Sequence, residues 1–155
     1  MTLQPKEKRA EKLPDFMDLK QRYDQLNSGP RADLRKIAHY ADIADLPAYY
    51  RWLAGIPPSN GLQRIALFLP HVGHSTGALP LGQQLHKRRV SEMRIFQVLR
   101  AETPSDLEYL RRLVIHADLR LDWAQFGETL YYWGPKAKRH ILQDYFTPIH
   151  NIASA

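Results

Sequence analysis

Apolar side chains recur at helical spacing through most of the chain. Phe16, Leu19 and Tyr23 follow one another at i, i+3 and i+7, which places them on one face of an α-helix. Asp15 precedes this stripe and suits a helix N-terminus, because its carboxylate accepts a backbone N–H there. The pattern predicts an amphipathic helix that begins after Asp15 and ends at the Ser-Gly-Pro sequence of residues 28–30.

Further helix starts are marked by capping signals. Asn60 is expected to cap one helix, and residues 103–106, Thr-Pro-Ser-Asp, have the form of a capping box with proline at the first position. Asp122 begins a second box, behind which Trp123 and Trp133 recur with other apolar residues. Because aromatic residues at helical spacing usually lie in a core, we expect both tryptophans to be structural.

The fold class follows from this periodicity. No segment shows sustained period-two alternation with hairpin turns. The helical spacing of the apolar residues therefore predicts an all-α protein with roughly seven to nine helices. The loop at residues 71–79 is the best candidate for a boundary between two helical halves. We expect an N-terminal helical half at residues 13–74, a C-terminal half at 75–150, and a flexible or helix-extending tail at 1–12.

The stretch from Leu85 to Arg100 combines a basic run with an amphipathic helix. Lys87, Arg88 and Arg89 lead into a helix that Ser91 is placed to cap. Apolar residues fall on one side of this helix and polar ones on the other, the latter being Arg94, Gln97 and Arg100. A solvated helix face explains such a charge run, and so does contact with a polyanion.

Composition adds a basic balance. The 155 residues carry 22 Lys and Arg against 16 Asp and Glu, a formal net charge of +6, which suits an anionic partner or simple solubility. Cysteine is absent, so thiolate chemistry is excluded and a reducing cytoplasm is compatible. No apolar run approaches the about 20 residues that span a bilayer. We expect a cytoplasmic protein without a membrane partner.

Signals of catalysis are weak. The chain has no Gly-Lys phosphate loop, no dinucleotide fingerprint and no Gly-x-Ser-x-Gly elbow. His71 and His74 lie close enough to share a metal, but no third ligand type is near them. His116 near Asp118 has the form of a base with its orienting group, although a histidine on a helix face is usually surface. We therefore expect no enzyme activity, no cofactor and no metal.

The remaining chemistry is positive charge on outward faces of several helices. Phosphate contacts require cations that track a backbone and no fixed motif. The candidate cations outside the central stretch include Arg35, Lys36 and Arg139. Because few Asn or Gln residues accompany them, the pattern favours backbone tracking over base reading.

The C-terminal half also resembles a known family. Residues 94–101 (RIFQVLRA), 110–113 (LRRL), 121–123 (LDW) and 132–134 (YWG) occur in that order. This ordered set closely resembles the small subunit (CasB type) of the type I-E CRISPR Cascade surveillance complex. The N-terminal half agrees more loosely, through residues 46–51 (LPAYYR).

The resemblance implies an all-helical, non-catalytic subunit of two small helical bundles that helps to hold the guide–target hybrid and the displaced strand. Its implied partners are CRISPR guide RNA, both strands of the target DNA, the backbone and large Cascade subunits, and a second copy arranged head to tail. Its implied nucleic-acid-binding residues are Arg51, Arg89, Arg94, Arg100, Arg111, Arg112 and Lys136. From the residues alone, a stand-alone helical DNA-binding regulator remains the alternative, which would need a recognition helix and a dimer matched to half-sites.

Cations spread over several helices predict weak nucleic-acid binding without sequence preference by the isolated protein. Binding should weaken steeply with salt, since each neutralised phosphate contributes a slope of roughly −0.7 to −0.9 to log K against log salt. Titrations of single- and double-stranded DNA at several salt concentrations measure this slope. A flat dependence, or a strong preference for one sequence, would contradict backbone tracking.

Overall fold

Four of the described helices begin where a short polar side chain accepts a backbone N–H. A computed structural model describes the backbone of residues 13–154 and the side chains of residues 13–147. The Asp15, Ser91 and Asp122 side chains each accept a backbone N–H at a helix start, as the sequence predicts. The expected tail at 1–12 lies outside the described residues.

The described residues form an all-α protein, which confirms the predicted fold class. They contain nine α-helices, one 3₁₀-helix and two short strands. In chain order these elements are α1 (Phe16–Asp24), α2 (Ser28–Lys36), η1 (Tyr40–Asp45), α3 (Pro47–Leu53), α4 (Asn60–Phe68), β1 (Gly73–His74), α5 (Leu81–Lys87), α6 (Glu92–Arg100), α7 (Ser105–Ala117), β2 (Arg120–Leu121), α8 (Trp123–Tyr131) and α9 (Pro135–Ser154). No helix in the described part of the chain is both long and apolar enough to cross a membrane.

Two strands of two residues each were not expected from the sequence. β1 and β2 pair in parallel, with Gly73 opposite Arg120 and His74 opposite Leu121. Such short pieces carry no period-two pattern that sequence reasoning could detect. The pairing joins the loop at 71–79 to the segment between α7 and α8.

One apolar core receives side chains from both predicted halves. Leu19, Trp52 and Phe68 from the first half and Leu107 and Trp123 from the second are all at most 2% exposed. The indole N–H of Trp123 donates to the Val72 carbonyl at 2.8 Å, across the predicted boundary. The division into two bundles stays a prediction. The two halves share core residues, so they do not have fully separate cores.

Helices α5 and α9 pack closely because of one glycine. A Cβ on Gly82 would collide with the backbone of Ile141 and Tyr145 on α9. The absence of a side chain therefore sets the distance between the two helices. The Tyr145 hydroxyl completes this contact by donating to the Val90 carbonyl at 2.5 Å.

Three local predictions were wrong. Ser59, and not Asn60, caps α4, accepting the Leu62 N–H at 3.2 Å. Thr103 does not cap α7 but donates its hydroxyl to the Asp106 carboxylate at 2.9 Å, and the helix begins at Ser105. Trp133 is partly buried against the core and is not inside it.

Replacing Trp123 by Ala should lower the free energy of unfolding by about 3–5 kcal/mol. The ring is fully buried, and its loss leaves a cavity and an unpaired Val72 carbonyl. Urea unfolding of the two proteins measures the change.

The matched control is Met93→Ala, since Met93 is 81% exposed and its loss should change stability by no more than about 0.5 kcal/mol. Normal unfolding of Trp123→Ala with lost nucleic-acid binding would instead make Trp123 a stacking platform.

Candidate nucleic-acid interface

Helix α6 presents the central cations. The Ser91 hydroxyl accepts the Arg94 N–H at 3.3 Å and starts the helix, and Ile95 and Val98 are buried on its inner face. Arg94, Gln97 and Arg100 are exposed, as the periodicity predicts. The helix therefore offers solvent a face that carries two guanidinium groups.

A polar groove lies between α6 and α7. It has a volume of about 440 Å³, and Arg94, Gln97, Tyr109, Arg112 and His116 are among its lining residues. The Arg112 guanidinium lies 4.8 Å from the centre of the Tyr109 ring, within the range of a cation–π contact. This groove brings two of the predicted binding arginines, Arg94 and Arg112, to one site.

A second groove lies between α6 and α9, with a volume of about 580 Å³. Arg100 from α6 and Arg139 from α9 line it, beside apolar residues that include Leu99 and Leu142. The Arg100 guanidinium lies 5.3 Å from the Phe96 ring centre, one turn back on its own helix. The structure thus brings Arg100 and Arg139 to one groove. The two grooves lie on opposite sides of α6.

A buried carboxylate supports the second groove. Asp106 is fully buried and lies 2.7 Å from the Lys138 ammonium. It also accepts the Trp133 indole N–H at 2.8 Å and the Leu107 N–H at 2.7 Å. Lys138 in turn donates to the Ala101 carbonyl at 2.9 Å, just after α6. These bonds tie the ends of α6, α7, α8 and α9 together beside Arg100 and Arg139.

The arginines that line the two grooves form no ion pair with a carboxylate among the described residues. The ion pairs found among residues 13–147 are Lys20–Asp24, Arg22–Asp18 and Lys138–Asp106, and the His39 ring lies 3.3 Å from Glu108. None of them includes Arg94, Arg100, Arg112 or Arg139. An exposed arginine that has no carboxylate partner is free to use its fork on a phosphate.

Arg35 and Arg111 form a separate basic contact between α2 and α7. Arg111 is half-buried, and its guanidinium donates to the Arg35 carbonyl at 3.4 Å. Burial lowers the pKa of Arg111, the charge of Arg112 lowers it further, and Glu108 raises it. Arg111 remains a cation at neutral pH, because the pKa of arginine starts far above 7.

The other predicted cations line neither groove. Arg51 on α3, Lys36 at the end of α2, Arg89 before α6 and Lys136 in the first turn of α9 are all exposed. Arg89 has a left-handed backbone, with φ of 60°. Their assignment to nucleic-acid binding stays a prediction.

Sequence reasoning missed the aromatic partners of the arginines. Tyr109 precedes Arg112 by three residues and Phe96 precedes Arg100 by four, and residues at these spacings are neighbours on a helix surface. That spacing was the available signal. Sequence reasoning also missed that Lys138, between Lys136 and Arg139, forms an ion pair with the buried Asp106.

The histidine pair at 71 and 74 shows no sign of a metal site. Within the described residues, no group of three potential ligands is close enough to hold an ion. His74 accepts the Trp123 N–H through Nδ1 at 3.1 Å, and its Nε2 is 2.9 Å from the Thr76 hydroxyl. His74 therefore fastens the start of α8 to the loop.

Comparison with known proteins connects this arrangement to CRISPR systems. A model of the family CRISPR-associated protein Cse2 matches residues 30–146. The Cascade subunit CasB of Escherichia coli K12 is 31% identical over 147 residues, which cover 84% of this chain and 92% of that protein. A chain in the crystal structure of E. coli Cascade bound to a PAM-containing double-stranded DNA target is similar with a TM-score of 0.79. That match has 31% identity and covers 84% of this chain and 93% of the other.

The fold and the comparisons together define an all-α CRISPR-associated protein. More particularly, the chain belongs to the Cse2 family, and its similarity to CasB confirms the resemblance indicated by the ordered C-terminal motifs. The alternative of a stand-alone DNA-binding regulator is not favoured by this membership.

Replacing Asp106 by Asn should destabilise the protein by about 3–5 kcal/mol, because it leaves the Lys138 ammonium without its partner in a largely buried place. Urea unfolding measures the change. Asp118→Asn is the control, since Asp118 is exposed and its left-handed backbone, with φ of 54°, suits asparagine. Equal stability of Asp106→Asn and the wild type would show that the buried pair does not hold these helix ends.

Proposed function

We propose that this chain is a non-catalytic subunit of a Cascade-type RNA-guided complex that stabilises the open target. In this role its arginines contact the backbones of the guide RNA–target DNA hybrid and of the displaced strand. The observation that carries the proposal is the pair of arginine-lined grooves on either side of α6 in a chain of the Cse2 family. The solved relative, a chain of Cascade bound to a DNA target, supports the choice of partners.

Contacts with the nucleic-acid backbone can decide whether the target duplex stays open. A guide–target hybrid is about as stable as the DNA duplex that it replaces, so backbone contacts that favour the open state can tip the balance. Arginine suits this task because its planar fork forms two parallel hydrogen bonds to phosphate oxygens. Stacking on Tyr109 and Phe96 restricts Arg112 and Arg100, which reduces the side-chain entropy lost on binding.

The proposed partners are CRISPR guide RNA, both strands of the target DNA, and the backbone and large subunits of the complex. We include a second copy of this chain, arranged head to tail, because one subunit offers only a short cationic surface to a long hybrid. Neither a cofactor nor a metal is part of the proposed role.

The double change Arg94→Ala with Arg112→Ala should loosen target DNA without unfolding the subunit. Both side chains line the α6–α7 groove, and neither has a carboxylate partner among the described residues. Complexes reconstituted with wild-type or variant subunit should differ in target retention after a salt jump. The slope of log K against log salt should become shallower by roughly 0.7–0.9 for each lost phosphate contact.

The control for this double change is Lys87→Ala with Arg88→Ala. It removes the same two charges from exposed positions that line neither groove. Melting curves of the isolated subunits are recorded in parallel. Loss of assembly or of folding with unchanged DNA binding would make Arg94 and Arg112 structural, and equal loss by the control would reduce the effect to net charge.

A further inference from the structure

The floor of the groove between α6 and α7 is apolar, although arginines line its sides. Val98 of α6 and Leu113 of α7 line this groove, and both side chains are buried. A phosphate carries charge on its oxygens and gains nothing from contact with apolar side chains. The apolar floor is therefore a feature that phosphate contacts alone do not use.

The polar side chains that line the groove all carry flat, delocalised groups. Tyr109, Arg112 and His116 follow at i, i+3 and i+7 on α7, which places them on one face of that helix. Gln97 lines the same groove from α6. The Arg112 guanidinium lies over the Tyr109 ring, 4.8 Å from its centre. Flat groups beside an apolar floor suit a ligand that is itself flat, with apolar faces and a polar edge.

A nucleobase has this shape and chemistry. Its faces stack on aromatic rings and on guanidinium planes, and its edge carries hydrogen-bond donors and acceptors. Gln97 offers both a donor and an acceptor, and His116 offers a ring nitrogen. Because a side-chain amide can turn end for end, Gln97 can serve any base, and no strong sequence preference follows. The groove volume of about 440 Å³ lies within the range of about 300–1,000 Å³ that is typical of small-ligand sites.

The groove requires a base that is not paired. In a duplex both faces of a base are stacked and its edge is paired, so taking it out of the helix costs free energy. The bases of a displaced strand have already lost their partners and enter such a site without that cost. Arg94 lines the same groove and has no carboxylate partner among the described ion pairs, so it can hold the phosphate next to the bound base.

We propose that the groove between α6 and α7 binds an unpaired base of the displaced DNA strand. In this site the base stacks on Arg112 and Tyr109, while Gln97 and His116 form hydrogen bonds to its edge. The inference rests on the proposed function and adds to it a base site beside the phosphate contacts. A base held in the groove cannot pair again with the target strand, so this site opposes closure of the duplex directly.

Normal and abasic strands of equal length test the site in the wild-type protein. An oligothymidylate and an oligomer with the same sugar-phosphate backbone but no bases carry the same charge. Because base stacking is lost, we expect the abasic oligomer to bind the full chain about fivefold more weakly or worse. The slope of log K against log salt should be equal for the two, since the phosphate contacts are kept. Fluorescence anisotropy at several low salt concentrations measures both quantities.

Arg112→Lys separates the planar group from the charge. The lysine keeps the positive charge but offers no flat surface to a base, so the variant should lose most of the difference between the two oligomers. An oligothymidylate that carries one 2-aminopurine, whose fluorescence falls when the base is stacked, should be quenched by the wild type and less by Arg112→Lys. Arg88→Lys is the matched control at an exposed position that lines neither groove, and it should behave as the wild type does.

Gln97→Met tests the contact with the base edge. Methionine keeps the length of the side chain and removes its hydrogen-bonding amide, so binding of oligothymidylate should weaken while binding of the abasic oligomer stays unchanged. Gln97 is exposed, and melting curves verify that this variant and the arginine variants are folded. The comparison of the two oligomers uses the wild type and does not depend on any variant.

Three results would overturn the base site. Equal affinity of the wild type for the two oligomers would leave the groove with phosphate contacts alone. An undiminished preference for oligothymidylate in Arg112→Lys and Gln97→Met would place the bound base elsewhere on the protein. Binding of neither oligomer would remove nucleic acid as the occupant and favour a protein partner. Target retention by complexes with the Arg94 and Arg112 double variant reports on the proposed function separately, so the two proposals can fail independently.

Discussion

The structure depends on one buried carboxylate. Asp106 has no exposed surface, and a charge in such a place is tolerated only when it is paired and hydrogen-bonded. Its two oxygens receive donors from the Thr103 hydroxyl, the Leu107 backbone, the Trp133 indole and the Lys138 ammonium. Because these donors lie at the ends of different helices, the carboxylate fixes the corner where α6, α7, α8 and α9 meet.

Several Asp and Glu side chains form hydrogen bonds within the fold, and this affects which arginines remain unpaired at the surface. Asp15 and Asp122 cap helices, Asp106 is buried, and Glu108 holds the start of η1. Carboxylates committed to backbone N–H groups do not neutralise distant arginines. Among the described residues, several exposed guanidinium groups therefore stay outside the ion pairs, as those of Arg94, Arg100, Arg112 and Arg139 do. A surface of this kind attracts a polyanion through many weak contacts.

Much of the fold could be predicted because helix periodicity and capping are local. Three of the predicted caps hold, and Trp123 is buried as its stripe indicates. The Asn60 prediction failed by one residue, since Ser59 and Asn60 are both good caps and only the backbone conformation chooses between them. Exposure of the α6 arginines followed from the same periodicity. The sequence could not predict which cations lie near one another, because that depends on long-range packing: Arg94 and Arg112 line one groove, and Arg100 and Arg139 line the other.

The short parallel pairing of β1 with β2 determines where the chain tolerates added length. The loop is fastened through Gly77, whose N–H donates to Asp122 at 3.1 Å, and through Ser75, whose N–H donates to Leu121 at 2.9 Å. An insertion just before Gly77 would move its N–H away from the Asp122 carboxylate, which also caps α8. Between Ala78 and Leu79 the loop emerges to solvent, with Leu79 42% exposed. A peptide tag or a fluorophore attachment sequence placed there would lie outside the residues that line either groove.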